Sequence, residues 1–220
     1  MATRVTPYGL KEVADLYFFP AMSSTADTIA VSLDTTTGKM TVSCSNASGS
    51  AVEPKFIFDT LKVSNIEISA EEANATGGKG NAELISWSYG KEITLTIEDA
   101  VFNLSTIDLL FGSTSGTKDN NTGAQTISIT PETFPGYYTM VGTTFIRNKD
   151  TGADEGFYFV IGKGKVNLGG TLTMEADGDP STFEMTVKAL KDINGNLITF
   201  TKLGTSVGGT TVYDQNTDAS

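Results

Sequence analysis

The 220-residue chain contains no histidine and a single cysteine, Cys44. Each absence removes chemistry. Without histidine no Ser-His-Asp or Cys-His nucleophile can be assembled. Zinc sites built on His and Cys are excluded within one chain, and one thiol cannot found a disulfide framework. A lone Cys is ordinarily a small buried hydrophobe, and Cys44 is read that way. Basic residues are scarce as well: 15 Lys and Arg stand against 26 Asp and Glu, a formal charge of −11. Gripping nucleic acid takes Lys/Arg clusters that displace counterions, and none is evident. The acidic surplus serves solubility and is compatible with a polymer that is to be repelled. No stretch approaches the roughly 20 apolar residues of a membrane span, so membrane insertion is not expected. Met1–Lys11 carries Arg4 and Lys11 but no apolar run, so no secretory signal is expected there and assembly in a cytoplasm is.

What is present is two-residue alternation. From Leu84 to Glu98 the odd positions read Ile85, Trp87, Tyr89, Lys91, Ile93, Leu95 and Ile97, and the even ones are mostly Ser, Thr and Glu. That pattern predicts one strand with a dry face and a wet face. At about 3.3 Å per residue it spans roughly 45 Å, far beyond the usual strand. Gly90 is expected to mark a bulge or bend. A partner strand precedes it over Leu61–Ser69, with Ile66 and Ile68 on the dry phase and Asn65, Glu67 and Ser69 on the wet one. Leu61 and Val63 are out of phase with Ile66, so a bulge is expected near Ser64. The connection Ala70–Asn81 is polar and Gly-rich and reads as a long exposed loop.

One short helix is expected after the long strand. Ser105 and Asp108 have capping-box spacing, Leu104 and Leu109 sit at staple positions, and Gly112 is the C-terminal stop. Ser113–Gln125 reads as a second loop. Strands are then expected at Thr126–Thr130, Thr143–Arg147, Gly156–Ile161, Lys165–Leu168, Thr171–Ala176 and Thr182–Leu190. Asn194-Gly195 predicts a hairpin turn between Val187–Lys191 and Leu197–Phe200. Ser23–Pro54 holds its own small hairpin, Ile29–Leu33 and Met40–Ser43, and is read as a surface insertion. Gly204–Ser220 is read as a flexible tail. The fold class is all-β with one short helix, a single domain over residues 1–203.

The candidate chemistry is weak. Thr76–Gly80 (TGGKG) lacks the Walker spacing and precedes a strand instead of a helix. Asp177-Gly178-Asp179-Pro180 and Asp150…Asp154 lack the ligand spacing of a calcium loop, and turn formation accounts for both. Glu67, Glu92 and Glu98 could be drawn as paired carboxylates, but acids on the wet face of a strand are the ordinary case. No catalytic residue, cofactor or metal is expected.

Phe58–Gly112 (FDTLKVSNIEISAEEANATGGKGNAELISWSYGKEITLTIEDAVFNLSTIDLLFG) resembles tail tube proteins of long-tailed bacteriophages. Gly156–Phe200 and the N-terminal Gly9–Asp15 resemble the same family. The resemblance implies a β-sandwich or barrel protomer in hexameric rings, each lending a long hairpin to a continuous inner β-barrel through which DNA passes unbound. It implies a structural virion protein, not an enzyme, with its own copies as partners and tail sheath, tape measure and baseplate proteins as neighbours. Glu67, Ser86, Ser88, Glu92, Thr94, Thr96 and Glu98 are then expected to line the lumen, a phase that carries no Lys or Arg. Ile66, Ile68, Ile85, Trp87, Tyr89, Ile93, Leu95 and Ile97 are expected to form one dry face between subunits. Glu71, Glu72, Lys79, Lys118 and Asp119, in the two loops, are expected to touch adjacent rings. The insertion and the tail depart from the compact family form. A main tube subunit, a specialised baseplate or tail-completion subunit and a receptor- or carbohydrate-binding sandwich all stay open.

Overall fold

A computed structural model describes residues 7–10, 15–34, 36–99, 109, 111–112, 126–167, 183–204 and 210–214. Its strands are β1 Tyr8–Leu10, β2 Asp15–Pro20, β3 Thr28–Asp34, β4 Lys39–Ser45, β5 Ala51–Val52, β6 Phe56–Phe58, β7 Leu61–Gly77, β8 Ala82–Asp99, β9 Tyr137–Asn148, β10 Asp154–Val166, β11 Phe183–Leu190, β12 Thr199–Lys202 and β13 Thr210–Asp214. The expected all-β class is observed.

The larger sheet runs β6-β2-β9-β10-β11-β8-β7, antiparallel throughout. It curls until its two ends share one interior. Phe18 and Phe58 of β2 and β6 pack in the same buried cluster as Ile93, Leu95 and Ile97 of β8 and Met185 and Val187 of β11. The Phe18 and Phe58 rings meet edge-on at 5.4 Å, the geometry that the ring quadrupoles favour. The result is a nearly closed barrel, its end strands β6 and β7 joined in sequence through Asp59 and Thr60.

The second sheet, β13-β3-β4-β5, covers the outside of β2, β9 and β10. Ile29, Val31, Met40 and Cys44 are buried there against Phe19, Val141, Tyr158 and Val160. The central strands are therefore apolar on both faces, whereas β7 and β8 alternate. Residues 23–54, expected as a surface insertion, supply β3, β4 and β5 of this layer. The expected β3–β4 hairpin is present, with Asp34 accepting from the Thr36 and Thr37 backbone N–H groups at its turn. Asp27, itself buried, accepts from the N–H groups of Ser23, Ser24 and Ala47 and so pins the start of β3 to the β4–β5 corner. Within the expected tail, Thr210–Asp214 forms the edge strand β13 on β3.

Other expectations change. Residues 126–130 form no strand; Thr130 and Thr133 close a turn on each other, and Ile129 is exposed with nothing to cover it. The strands expected at 156–161 and 165–168 are one strand, β10, with a bulge between Ile161 and Gly164. The Asn194-Gly195 turn exists, but it joins no hairpin: β11 and β12 lie end to end along the same edge of β10. The turn is closed by Asp192, which accepts from the Asn194 and Asn196 N–H groups. Of the expected helix, Leu109 and Phe111 are helical and Leu109 is fully buried in the barrel core; 100–108 and 110 lie outside the described residues. Gly112 has φ +66, and a Cβ there would collide with the Phe134 carbonyl, so only glycine fits that close approach. The loop 113–125 and the strand expected at 171–176 also lie outside the described residues.

Candidate assembly surface

The hairpin of β7 and β8 is longer than the barrel that carries it. β11 covers β8 only from Thr94 to Asp99. Beyond Ile93, β7 and β8 run on as a two-stranded arm closed by a turn at Gly78–Asn81, where Asn81 and two glycines take positive φ. The segment Ala70–Gly77, expected as a loop, is strand. Its polar residues can stay in a ladder because both faces of the arm meet solvent. Eight further residues at about 3.3 Å each make the arm roughly 26 Å long.

Three register irregularities interrupt the hairpin. The first lies between Leu61 and Val63, so the inserted residue is Lys62, not one near Ser64; it returns Leu61 to the core side while Val63 stays with the wet phase. The second falls between Ser69 and Glu71 on β7, opposite Tyr89–Glu92 on β8, where β8 holds one residue more. Gly90, with φ +63, is there, as a glycine-type bulge requires. The third places Leu84 as the extra residue.

The Gly90 bulge exchanges the faces of β8. Below it, Ile93 opposes Ile68 and Leu95 opposes Ile66, and these turn toward the core. Above it, Tyr89 opposes Glu71, Trp87 opposes Ala73 and Ile85 opposes Ala75. β7 is regular between Val63 and Ala75, so its odd residues share one face: that of Asn65, Glu67 and Ser69. The aromatic stripe therefore lies on the face of the acids, and Ser86 and Ser88 lie on the other, beside Asn74 and Glu72. The expected single dry face and single wet face are both corrected. Burial agrees: Ile93, Leu95 and Ile97 are 3%, 0% and 0% exposed, whereas Ile85, Trp87 and Tyr89 are 51–61% exposed; Ile68, on the core face where the arm leaves the barrel, is itself exposed.

The outer face carries a second feature. Cross-strand partners place Glu67, Thr94, Lys188, Lys165 and Tyr137 in one row across five strands. Glu67, Glu92 and Glu98 make the β7–β8 side acidic, while β11 and β10 bring Lys188 and Lys165 to the face, with Glu184 opposite Glu98. Lys188 Nζ sits 2.7 Å from Glu92 Oε2, an exposed pair of small energetic worth. The expectation that this face lacks Lys holds along β7 and β8 at these positions but fails for the sheet. Lys79 is at the arm's turn, Glu71 and Glu72 are in β7, and Lys118 and Asp119 lie outside the described residues.

Elsewhere, a cavity of about 500 Å3 opens between the two layers, lined by Asp15, Tyr17, Lys39 and Asp59 among others. Burial, with Asp15 and Asp59 behind it, raises the Tyr17 phenol above its ordinary value. Cys44 is buried, and desolvation followed by Asp27 pushes its thiol up to about 11, which keeps it protonated and unreactive at neutral pH. Among the described residues no group of three His, Cys, Asp or Glu is disposed to hold a metal.

The sequence profile of the YomU/Tube protein family matches residues 49–119 and 115–200. The chain belongs to the YomU/Tube protein family. The matched residues take in the whole hairpin, β9, β10 and β11; the barrel strand β2 lies outside them, as do β1, β3, β4 and β13. The resemblance to tube proteins is thereby met. Among solved structures, the chain is similar to one in the six-fold symmetrised cryo-EM structure of the anti-feeding prophage (AFP) baseplate. That similarity has 10% identity and a TM-score of 0.34, and covers 84% of this chain and 96% of that one. No curated protein matches the sequence.

For a Tube-family chain the sequence located the hairpin and most of its acids. It missed the lysines that share the face, because Lys188 reaches it by pairing with the distant Thr94, and Lys165 by pairing in turn with Lys188. The available signal was the alternation of Glu184, Thr186 and Lys188 within β11.

Proposed function

We propose that this protein is a structural subunit of a phage tail that polymerises as stacked hexameric rings around a channel for DNA. The observation that carries the reading is the arm: a hairpin of a Tube-family chain that extends past its own barrel with both strand edges unpaired among the described residues. A two-stranded ribbon is marginal on its own, and open edges recruit other chains. Assembly gives the arm its stability.

In this reading the outer face of β7, β8 and β11 lines the channel, with Glu67, Glu92, Thr94, Thr96 and Glu98 turned to the lumen. Ser86 and Ser88 leave the lining because they lie on the opposite face. Lys188 offsets Glu92, so Glu67 and Glu98 supply the repulsion that keeps phosphates off the wall. The protein works without catalysis or cofactor, in the virion. Electron microscopy of the purified chain tests the reading: rings or tubes with a central channel are expected, and a protein that stays monomeric at all concentrations overturns it.

A further inference from the structure

The face exchange at Gly90 leaves Ile85, Trp87 and Tyr89 exposed on the arm, with Glu71 among them, while Glu72 and Glu83 lie on the opposite face. A complementary surface exists on the barrel. Two grooves, of about 400 Å3 and about 280 Å3, flank Tyr137. The first is rimmed by Lys163, Lys191, Asp192 and Ile193, and the second by Phe134 and Lys165; Asp192 is engaged by the Asn194 and Asn196 N–H groups. Tyr137, Phe134 and Ile193 are 49%, 64% and 50% exposed. Lys163 Nζ lies 4.7 Å from the Tyr137 ring centroid, and among the described residues none of these three lysines is in an ion pair.

We propose that the aromatic face of the arm docks in the Tyr137 grooves of a second copy of this chain. The two surfaces match in kind: aromatic and aliphatic side chains on each, the Glu71 carboxylate on one and lysines on the other. Complementary charge fixes register and rejects wrong partners. The chain cannot satisfy its own groove. Beyond Ile93 the strands of the arm pair with each other alone among the described residues, and β9 and β10 are not among the elements that β7 and β8 chiefly contact. A contact between different surfaces of identical copies propagates into a ring or a stack. The Gly90 bulge is the positioning element, because without the extra residue the stripe would lie on the other face. The inference rests on the tube reading and adds to it the partner surface of the arm.

Trp87 is the sole tryptophan, so its emission reports the stripe directly. In full-length protein the emission is expected to shift to shorter wavelength as assembly proceeds in sedimentation. Lys163→Glu, Lys165→Glu and Lys191→Glu together are expected to raise the concentration needed for assembly about tenfold or more. Glu71→Lys, the charge reversal that lies on the aromatic face, should raise it as well. Mixed one to one, the two variants are expected to assemble, since each arm then meets an opposite groove; this recovery also shows that both variants fold. If both variants assemble alone like the wild type, the docking is overturned while the tube reading stands. If the mixture fails to recover, the docking is likewise overturned. If the wild type never assembles and Trp87 stays in water, both fall.

Discussion

Tyr89 and Ile93 stand four residues apart on β8, in the same alternation phase, and face opposite sides of the sheet. Gly90, at φ +63, is the cause: it adds one residue to β8 against β7. Ile93 closes the barrel core, and Tyr89 is half exposed on the arm.

Replacing Gly90 by Val is expected to strain the arm by about 1–2 kcal/mol, the penalty for a β-carbon in the left-handed region. Hydrogen exchange should speed up over residues 70–91 and stay unchanged in β9 and β10. Uniform loss of protection across the chain would show that the bulge supports the whole barrel.

Leu95 and Ile68 separate core from surface on the one hairpin. Leu95→Ala should cost about 2–5 kcal/mol in urea denaturation, because it opens a cavity in the barrel. Ile68→Ala, at a side chain 56% exposed, should stay within about 0.5 kcal/mol. Similar costs at both sites would show that Ile68, which shares the face of Leu95 at the rim of the barrel, is covered as fully as Leu95.

Asp27 is the hinge pin of the small sheet. Asp27→Ala leaves the N–H groups of Ser23, Ser24 and Ala47 without their acceptor, and should cost about 1–3 kcal/mol. Exchange protection should fall first in β3 and β4.

Acid should loosen the clamp on β10. Glu155 is buried and accepts from Lys202 Nζ at 2.5 Å, with Tyr8 on the same ammonium at 3.1 Å. The Lys202 hydrogen bond, outweighing burial and helped by Asn148, holds the Glu155 carboxyl below its ordinary value of 4.5. A lowered folded pKa means that this stability is present above that value and is lost as pH falls through the depressed one. Lys202, raised above its ordinary 10.5 mainly by the bond to Glu155, loses its share only as pH climbs beyond that value. Melting temperature should therefore drop below about pH 4.5, and Glu155→Gln should flatten that drop. An unchanged acid slope in the variant would refute the assignment.

Changing Glu67, Glu92 and Glu98 together to Lys tests the channel wall. Particles carrying the variant should assemble but eject DNA slowly, because a basic lining retains phosphates by counterion release. The effect should lessen as salt rises. Normal ejection at low salt would remove these acids from the lumen.

Alternation along the chain was enough to place the long strand and the two strands of the β3–β4 hairpin. These are local properties: side chains two apart share a face wherever the backbone is regular. The identity of each face was decided only by pairing. A bulge is an extra residue relative to a partner, so Ile85 to Ile97 reads as one unbroken stripe until β7 is set beside it. The same holds for the arm, where Ala70–Gly77 has loop composition and becomes strand because Ala82–Tyr89 lies opposite it. The lysines reached the acidic face through β10 and β11, and residues 23–54 became a core layer by covering Val141, Tyr158 and Val160. Contacts between residues far apart in sequence decided these points, and period-two patterning carries no information about which distant strand will be the neighbour.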